Sequence, residues 1–203
     1  MGRWNGGSGV NWRVAFHSDV SSSNQLLGAT TLPFTPFHLG PGAALKTIAK
    51  QHFSFLVFGF AQVLMDLEPL IRIYQKAPEL HGLSHTMLGA TLIAIPSIVL
   101  GKPASELLLR LSRWLVTEPD RSLIPTIVSW KAATVGGVVG TYSHVLIDSV
   151  MHSDVHLLAP WSQSSPLLDT MPVLTLHVVC LVLAVPGIVY AVGIYRRHRD
   201  RGA

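Results

Sequence analysis

His144, Asp148 and His152 recur at i, i+4 and i+8 within Gly140-Thr-Tyr-Ser-His-Val-Leu-Ile-Asp-Ser-Val-Met-His-Ser-Asp154. On an α-helix that spacing sets all three on one face. Their neighbours are apolar, and imidazole or carboxylate groups on an apolar helix are costly unless something pairs with them. A divalent metal is the simplest partner. The alternative is structural, with these groups bonded to one another and to nearby backbone. His81-Gly-Leu-Ser-His85 repeats the i, i+4 histidine spacing, and Asp66 and Glu68 follow a strongly apolar run. Imidazoles and carboxylates without thiolates suit zinc, manganese or iron. The single cysteine, Cys180, lies in an apolar run, which excludes a disulfide within the chain and a cysteine-based zinc site. His81, His85, His144, His152, Asp66, Glu68, Asp148 and Asp154 exceed the four ligands of one closed structural site. They imply either more than one metal, or one metal with acids left over as bases. Bound metal turns water into hydroxide near neutral pH and polarises a phosphoryl or acyl oxygen. The chain has no Gly-x-Ser-x-Gly elbow, phosphate-binding P-loop or dinucleotide fingerprint.

The elements that must position these residues belong to an apolar chain. Of its 203 residues, 13% are charged and 49% hydrophobic, and the mean hydropathy is +0.42. Soluble proteins carry roughly 25% charged residues, so the composition points to a membrane protein. The basic residues flank apolar runs, as membrane-surface anchors do, and no basic stripe with interleaved aromatics suggests nucleic-acid binding. The expected fold is all-α: a polytopic membrane helical bundle with about four transmembrane spans plus an interfacial amphipathic helix. Residues 1–30, rich in Gly, Ser and Asn, are expected to be a disordered tail that includes His17 and Asp19. Residues 31–196 form the membrane-embedded metal-site domain, and 197–203 a basic tail. The run from Ala43 to Met65 predicts one long helix or two shorter ones, stopped at Pro69, with a polar loop over 69–82. The run from Leu83 to Gly101 predicts a second span. Ala104–Leu115, with Leu107, Leu108, Leu111 and Leu115 in one stripe, predicts the interfacial helix. Ala132–Val150 is the central helix, its Gly136, Gly137 and Gly140 permitting close packing. Val173–Tyr195 is an uncharged span followed by Arg196-Arg-His-Arg-Asp-Arg201.

The positive-inside rule puts that basic end in the cytoplasm. Alternation then places Asp66, Glu68, His81, His85, His144, Asp148, His152 and Asp154 near the outer face. At ~1.5 Å per residue, His144 lies roughly 12 Å below His152. His38 joins the group only if residues 38–52 fold back. His177 is expected to face the bundle, and Trp161 to anchor at the interface.

The ordered set His38, Asp66, His81-Gly-Leu-Ser-His85-Thr, Ser143-His144-x3-Asp148 and Leu157-Leu-x-Pro160-Trp161 resembles the YdjM-like membrane-bound metal-dependent hydrolases over residues 33–165. The ligand order is also similar to that of zinc-dependent bacterial phospholipases C. The resemblance implies metal binding by His38, Asp66, His85, His144 and Asp148, with His81 and His152 near them. Two motifs depart from the family pattern. The acidic motif here is Met65-Asp-Leu-Glu68-Pro in place of Pro-Asp-x-Asp-His, and Thr86 stands where Ser is usual. The expected function is metal-dependent hydrolysis, of a phosphoester or lipid-like substrate, at the outer face of a bacterial inner membrane. Asp66, His85, His144 and Asp148 would bind the metal, and Glu68 or Asp154 would act as base. The rivals are a metal or proton transporter using the same cluster, and a non-catalytic protein that retains only the ligands.

Overall fold

The structure is a computed structural model describing residues 36–116, 121 and 124–202; the Gly/Ser-rich tail, with His17 and Asp19, lies outside them. The described residues form five α-helices and no strand: α1 Leu39–Ala49, α2 Phe55–Tyr74, α3 Met87–Leu115, α4 Trp130–Met151 and α5 Val173–Gly202. Short 3₁₀ turns precede α1 at Pro36–His38, separate α1 from α2 at Lys50–His52, and precede α3 at Leu83–His85. Side-chain caps start three of the helices. Ser54 Oγ accepts from Val57 N at 3.3 Å, Thr86 Oγ1 from Gly89 N at 2.9 Å, and Ser129 Oγ from Ala132 N at 3.1 Å. Each such cap contributes about 1 kcal/mol. A hydroxyl is all that position 86 requires, which threonine supplies as well as serine.

The chain folds back between α1 and α2. Lys50 takes a positive φ of 45°, and Lys46 Nζ donates to the carbonyls of Lys50 and Phe53, both at 2.8 Å. These bonds satisfy carbonyls that the broken helix would leave bare. With 11 residues, α1 is about 16 Å long. It descends beside α5 and parallel to it: Phe37 stacks on His177 with ring centroids 4.6 Å apart, Gly40 meets the Cys180 backbone, and Gly187 meets Ala43. Meanwhile α2 and α4 rise together. Ser54 N donates to Ala132 O at one end, and Gln62 Nε2 donates to Gly140 O at 3.1 Å further up. The helices can approach because Gly136 and Gly140 face Ser54, Phe58 and Ala61; a Cβ at Gly140 would sit 2.7 Å from that of Ala61. Close packing by small residues is how helices associate where apolar burial gives little drive.

Two expectations are corrected. Pro69 does not stop α2, which continues to Tyr74 and replaces the first part of the expected loop. Proline costs α2 one backbone bond and some strain, but Pro69 is fully buried, and packing at this point outweighs the loss. The amphipathic stretch Ala104–Leu115 is not a separate interfacial helix; it is the far end of α3, which runs unbroken through Pro96 and Pro103. Lys102 and Glu106 there form a 2.6 Å ion pair, and Glu106 accepts from Val128 N at 3.0 Å.

Two helices, Met87–Leu115 and Val173–Arg197, are long and apolar enough to cross a membrane. Leu174, Val182, Ile188 and Val189 of α5 are all more than half exposed, far more apolar surface than a water-facing helix carries. The basic residues gather at one end of the bundle: Lys102 Nζ lies 5.0 Å over the Trp130 ring, Lys131 opens α4, and Arg196, Arg197 and Arg199 end α5. His38, Asp66, His81, His85, His144, Asp148, His152 and Asp154 gather at the other.

Candidate metal centre

Four segments deliver the site. The turn Pro36–His38 supplies His38, the middle of α2 Asp66, the turn Leu83–His85 His85, and the upper half of α4 His144 and Asp148. Asp148 is the hub. Its Oδ1 lies 3.2 Å from His38 Nε2, and its Oδ2 lies 3.2 Å from His85 Nε2 and 3.0 Å from His144 Nε2. His144 Nε2 is also 3.3 Å from Asp66 Oδ1. His85 and His144 are fully buried, and His38, Asp66 and Asp148 nearly so. The fold-back at Lys50 brings in His38, whose participation the sequence left conditional.

The ring nitrogens can be assigned from their neighbours. The Gln62 amide donates to Gly140 O, which turns its Oε1 toward His144 Nδ1, 2.6 Å away. Nδ1 therefore carries a proton, and Nε2 is the atom that faces the carboxylates and would ligate a metal. His85 follows the same logic. Ser84 Oγ lies in very short contact with Glu68 Oε2 and must donate to it, because a carboxylate only accepts. Ser84 Oγ thus accepts from His85 Nδ1 at 2.8 Å, leaving His85 Nε2 facing Asp148. An imidazole nitrogen facing a carboxylate is stabilised by a cation between them, either a proton on the ring or a metal ion. Among the described residues His38 Nδ1, His85 Nε2 and His144 Nε2 are buried without a hydrogen-bond partner, each an omission of about 1–3 kcal/mol. Ligands at ~2.0–2.2 Å from one ion are themselves roughly 3.0–3.4 Å apart, the range of the His–Asp separations here. The donor set fits a divalent metal.

A second group adjoins the first. His81 Nδ1 donates to Asp154 Oδ1 at 2.8 Å, and Asp154 Oδ2 accepts from the backbone of Leu80 at 2.9 Å and of His81 at 3.0 Å. Burial pushes the Asp154 carboxyl up, but the His81 ring and these backbone donors outweigh it and hold the group well below the usual carboxylate range. Two sets place one ligand atom from each residue within 4.8 Å of the others: His81, His85 and Asp148, and His81, His152 and Asp154. The imidazoles form a row, with ring centroids 4.7 Å apart from His38 to His144, 5.3 Å from His144 to His85, 4.6 Å from His85 to His81 and 4.5 Å from His81 to His152.

Every residue read from the sequence as a ligand lies in this cluster. The two candidate bases are each held by neighbouring side chains. Glu68 is held by Arg72 Nη2 at 2.9 Å and by Ser84, and Asp154 by His81. Sequence reasoning missed Gln62 and Ser84. Gln62 is the one polar residue between Phe55 and Met65 and stands four residues before Asp66, a signal that placed it on the site's face. His156 bonds Ser165 in the loop, with 3.2 Å between Nδ1 and Oγ. Leu157 is buried with Met65, Ala90 and Val145, and its carbonyl accepts from Met87 N at 2.9 Å, so the loop after α4 closes over the cluster. No protein-family model, curated protein or solved structure matches this chain.

Proposed function

We propose that this protein is a membrane-bound metal-dependent hydrolase acting on a phosphoester, in a lipid-like substrate, at the outer face of a bacterial inner membrane. The observation that carries the reading is the convergence of the buried Nε2 atoms of His38, His85 and His144 on Asp66 and Asp148. His38, Asp66, His85, His144 and Asp148 would hold the ion; zinc suits the set best, manganese or iron next. When bound, such an ion polarises a phosphoryl oxygen and supplies hydroxide near neutral pH. The chain's own groups orient the ligands: Gln62 fixes the His144 tautomer, and Arg72, Glu68 and Ser84 fix that of His85. The basic end of the bundle, with Lys131 and Arg196, faces the cytoplasm by the positive-inside rule.

A cleft of about 590 Å³ between α2 and α3 supports a lipid-like substrate. Leu64, Leu67, Ile71 and Ile93 wall it, and Glu68, Arg72 and Ser84 edge it. Apolar wall and polar rim suit an acyl chain and a charged headgroup, and Ser84 adjoins His85. A transport pathway is less well supported. Beneath the cluster α4 presents Gly136, Gly137 and Gly140 directly against α2 and α3, with Val57, Val128, Ala132 and Ala133 packed below. Among the described residues the buried polar side chains at that depth include the hydroxyls of Ser97 and Thr141, which are bonded to their own helix backbone.

The test is metal analysis of the detergent-purified protein, with hydrolysis assays on phosphomonoesters, phosphodiesters and phospholipid vesicles. Stoichiometric zinc, manganese or iron and chelator-sensitive release from one of these are expected; a metal-free protein that binds none on titration overturns the reading. Gln62→Leu removes the group orienting His144 without removing a ligand. Metal affinity is expected to fall about 10–100-fold, read by competition with a chromophoric chelator; unchanged affinity would mean that His144 needs no orienting partner.

A further inference from the structure

Five histidine rings follow one another at centroid spacings of 4.5 to 5.3 Å, and the two ends of the row are held by different carboxylates. One end, at His38 and His144, is tied to Asp148 and Asp66; the other, at His81 and His152, is tied to Asp154.

We infer that His81 and His152, with Asp154 beside them, form a second cation site at the outer end of the row, distinct from the deep set centred on Asp148. The inference rests on reading the deep set as metal ligands. Its own support is local. The ligand atoms of His81, His152 and Asp154 lie within 4.8 Å of one another. Asp154 accepts from the His81 ring and from two backbone amides, which locks the carboxylate and aims the ring. With Nδ1 committed to Asp154, the His81 atom left to ligate is Nε2, the carboxylate–histidine arrangement that orients metal ligands. His152 follows the last residue of α4 and is only partly buried, as is Asp154, whereas Asp148 is 3% exposed. The outer site is therefore open to solvent and has fewer protein ligands. It holds its ion more weakly and leaves positions for water or a substrate oxygen, while the deep site is enclosed by protein. His81 also lies within reach of His85 and Asp148, so ions held by the two sets would be neighbours, the setting in which paired metals act on a phosphoester.

The probe is zinc alone. Metal-stripped full-length protein in detergent is titrated against a chromophoric zinc chelator, and bound zinc is counted after gel filtration. Wild type is expected to take up about two equivalents in two affinity classes. His152→Ala is expected to lose the weaker class and keep the tighter one. Asp154→Asn, which keeps the shape of the side chain, is expected to weaken the same class alone, and it decides the matter should His152→Ala fail to fold. One equivalent in wild type, or two undiminished classes in the foldable variants, overturns the second site and leaves the hydrolase reading standing. No zinc uptake by wild type overturns both, so the two failures are told apart.

Discussion

His144→Ala is expected to empty the deep site of metal while the helices remain assembled. The variant loses a ligand whose Nε2 faces both Asp66 and Asp148, and Gln62 loses the ring it orients. Changes to outer-shell partners alone cost about 10–100-fold in metal affinity, and a lost ligand costs more, so the tighter class of bound metal and hydrolysis should both fall to background. The inserted fold persists, because its helices are held by apolar length and by small-residue packing below the site. A merely packed histidine would behave in the opposite way: the melting temperature would fall and metal per folded chain would stay constant. Metal stoichiometry and thermal unfolding measured on one detergent preparation distinguish the two. Full metal retention removes His144 from the site and, with it, the main support for enzymatic activity.

Gly140→Leu is expected to lose the metal and the fold together. A Cβ at this position already meets Ala61 Cβ at 2.7 Å and Phe58 O at 2.9 Å, and the rest of a leucine side chain has no space between α2 and α4. Overpacking of this kind costs typically 1–3 kcal/mol, and here the obstacle includes backbone, which yields less than a side-chain tip. Forcing the helices apart also separates Gln62 and Asp66 from His144. The check is a lowered melting temperature accompanied by loss of bound metal. A variant as stable and as metal-rich as wild type would show that the close approach of α2 and α4 does not set the site.

The contrast between these positions shows what could be read from residues alone. Helix α4 was legible because its two periodicities agree: small residues at Gly136 and Gly140 for a neighbour, polar ones at His144 and Asp148 for a site. The gathering of Asp66, His85 and His144 at one end followed from alternating helix direction and a basic tail. The fate of His38 was not legible, because it depends on a reversal at Lys50, a lysine in a backbone conformation that no residue pattern announces. Pro69 misled for a related reason: local chemistry says stop, and burial against the neighbouring elements, a tertiary fact, overrides it. Ser84 was hidden between two histidines that drew the attention. Its role appears only when Glu68, sixteen residues earlier in the chain, reaches it.

The short first helix has a consequence for biogenesis. At 11 residues, α1 is about half the length needed to partition into a bilayer by itself, and an isolated helix so short is marginal even in water. The surface it leans on is α5, through the stacked Phe37 and His177 and the glycines at 40 and 187. That surface is synthesised after the other four helices. While the ribosome is still making α2 to α4, the first-made ligand has no seat; His38 docks only when the final helix is in place. The reaction centre thus matures from its two ends, and a chain that stalls before α5 would hold four of the five deep ligands and lack the one that was translated first.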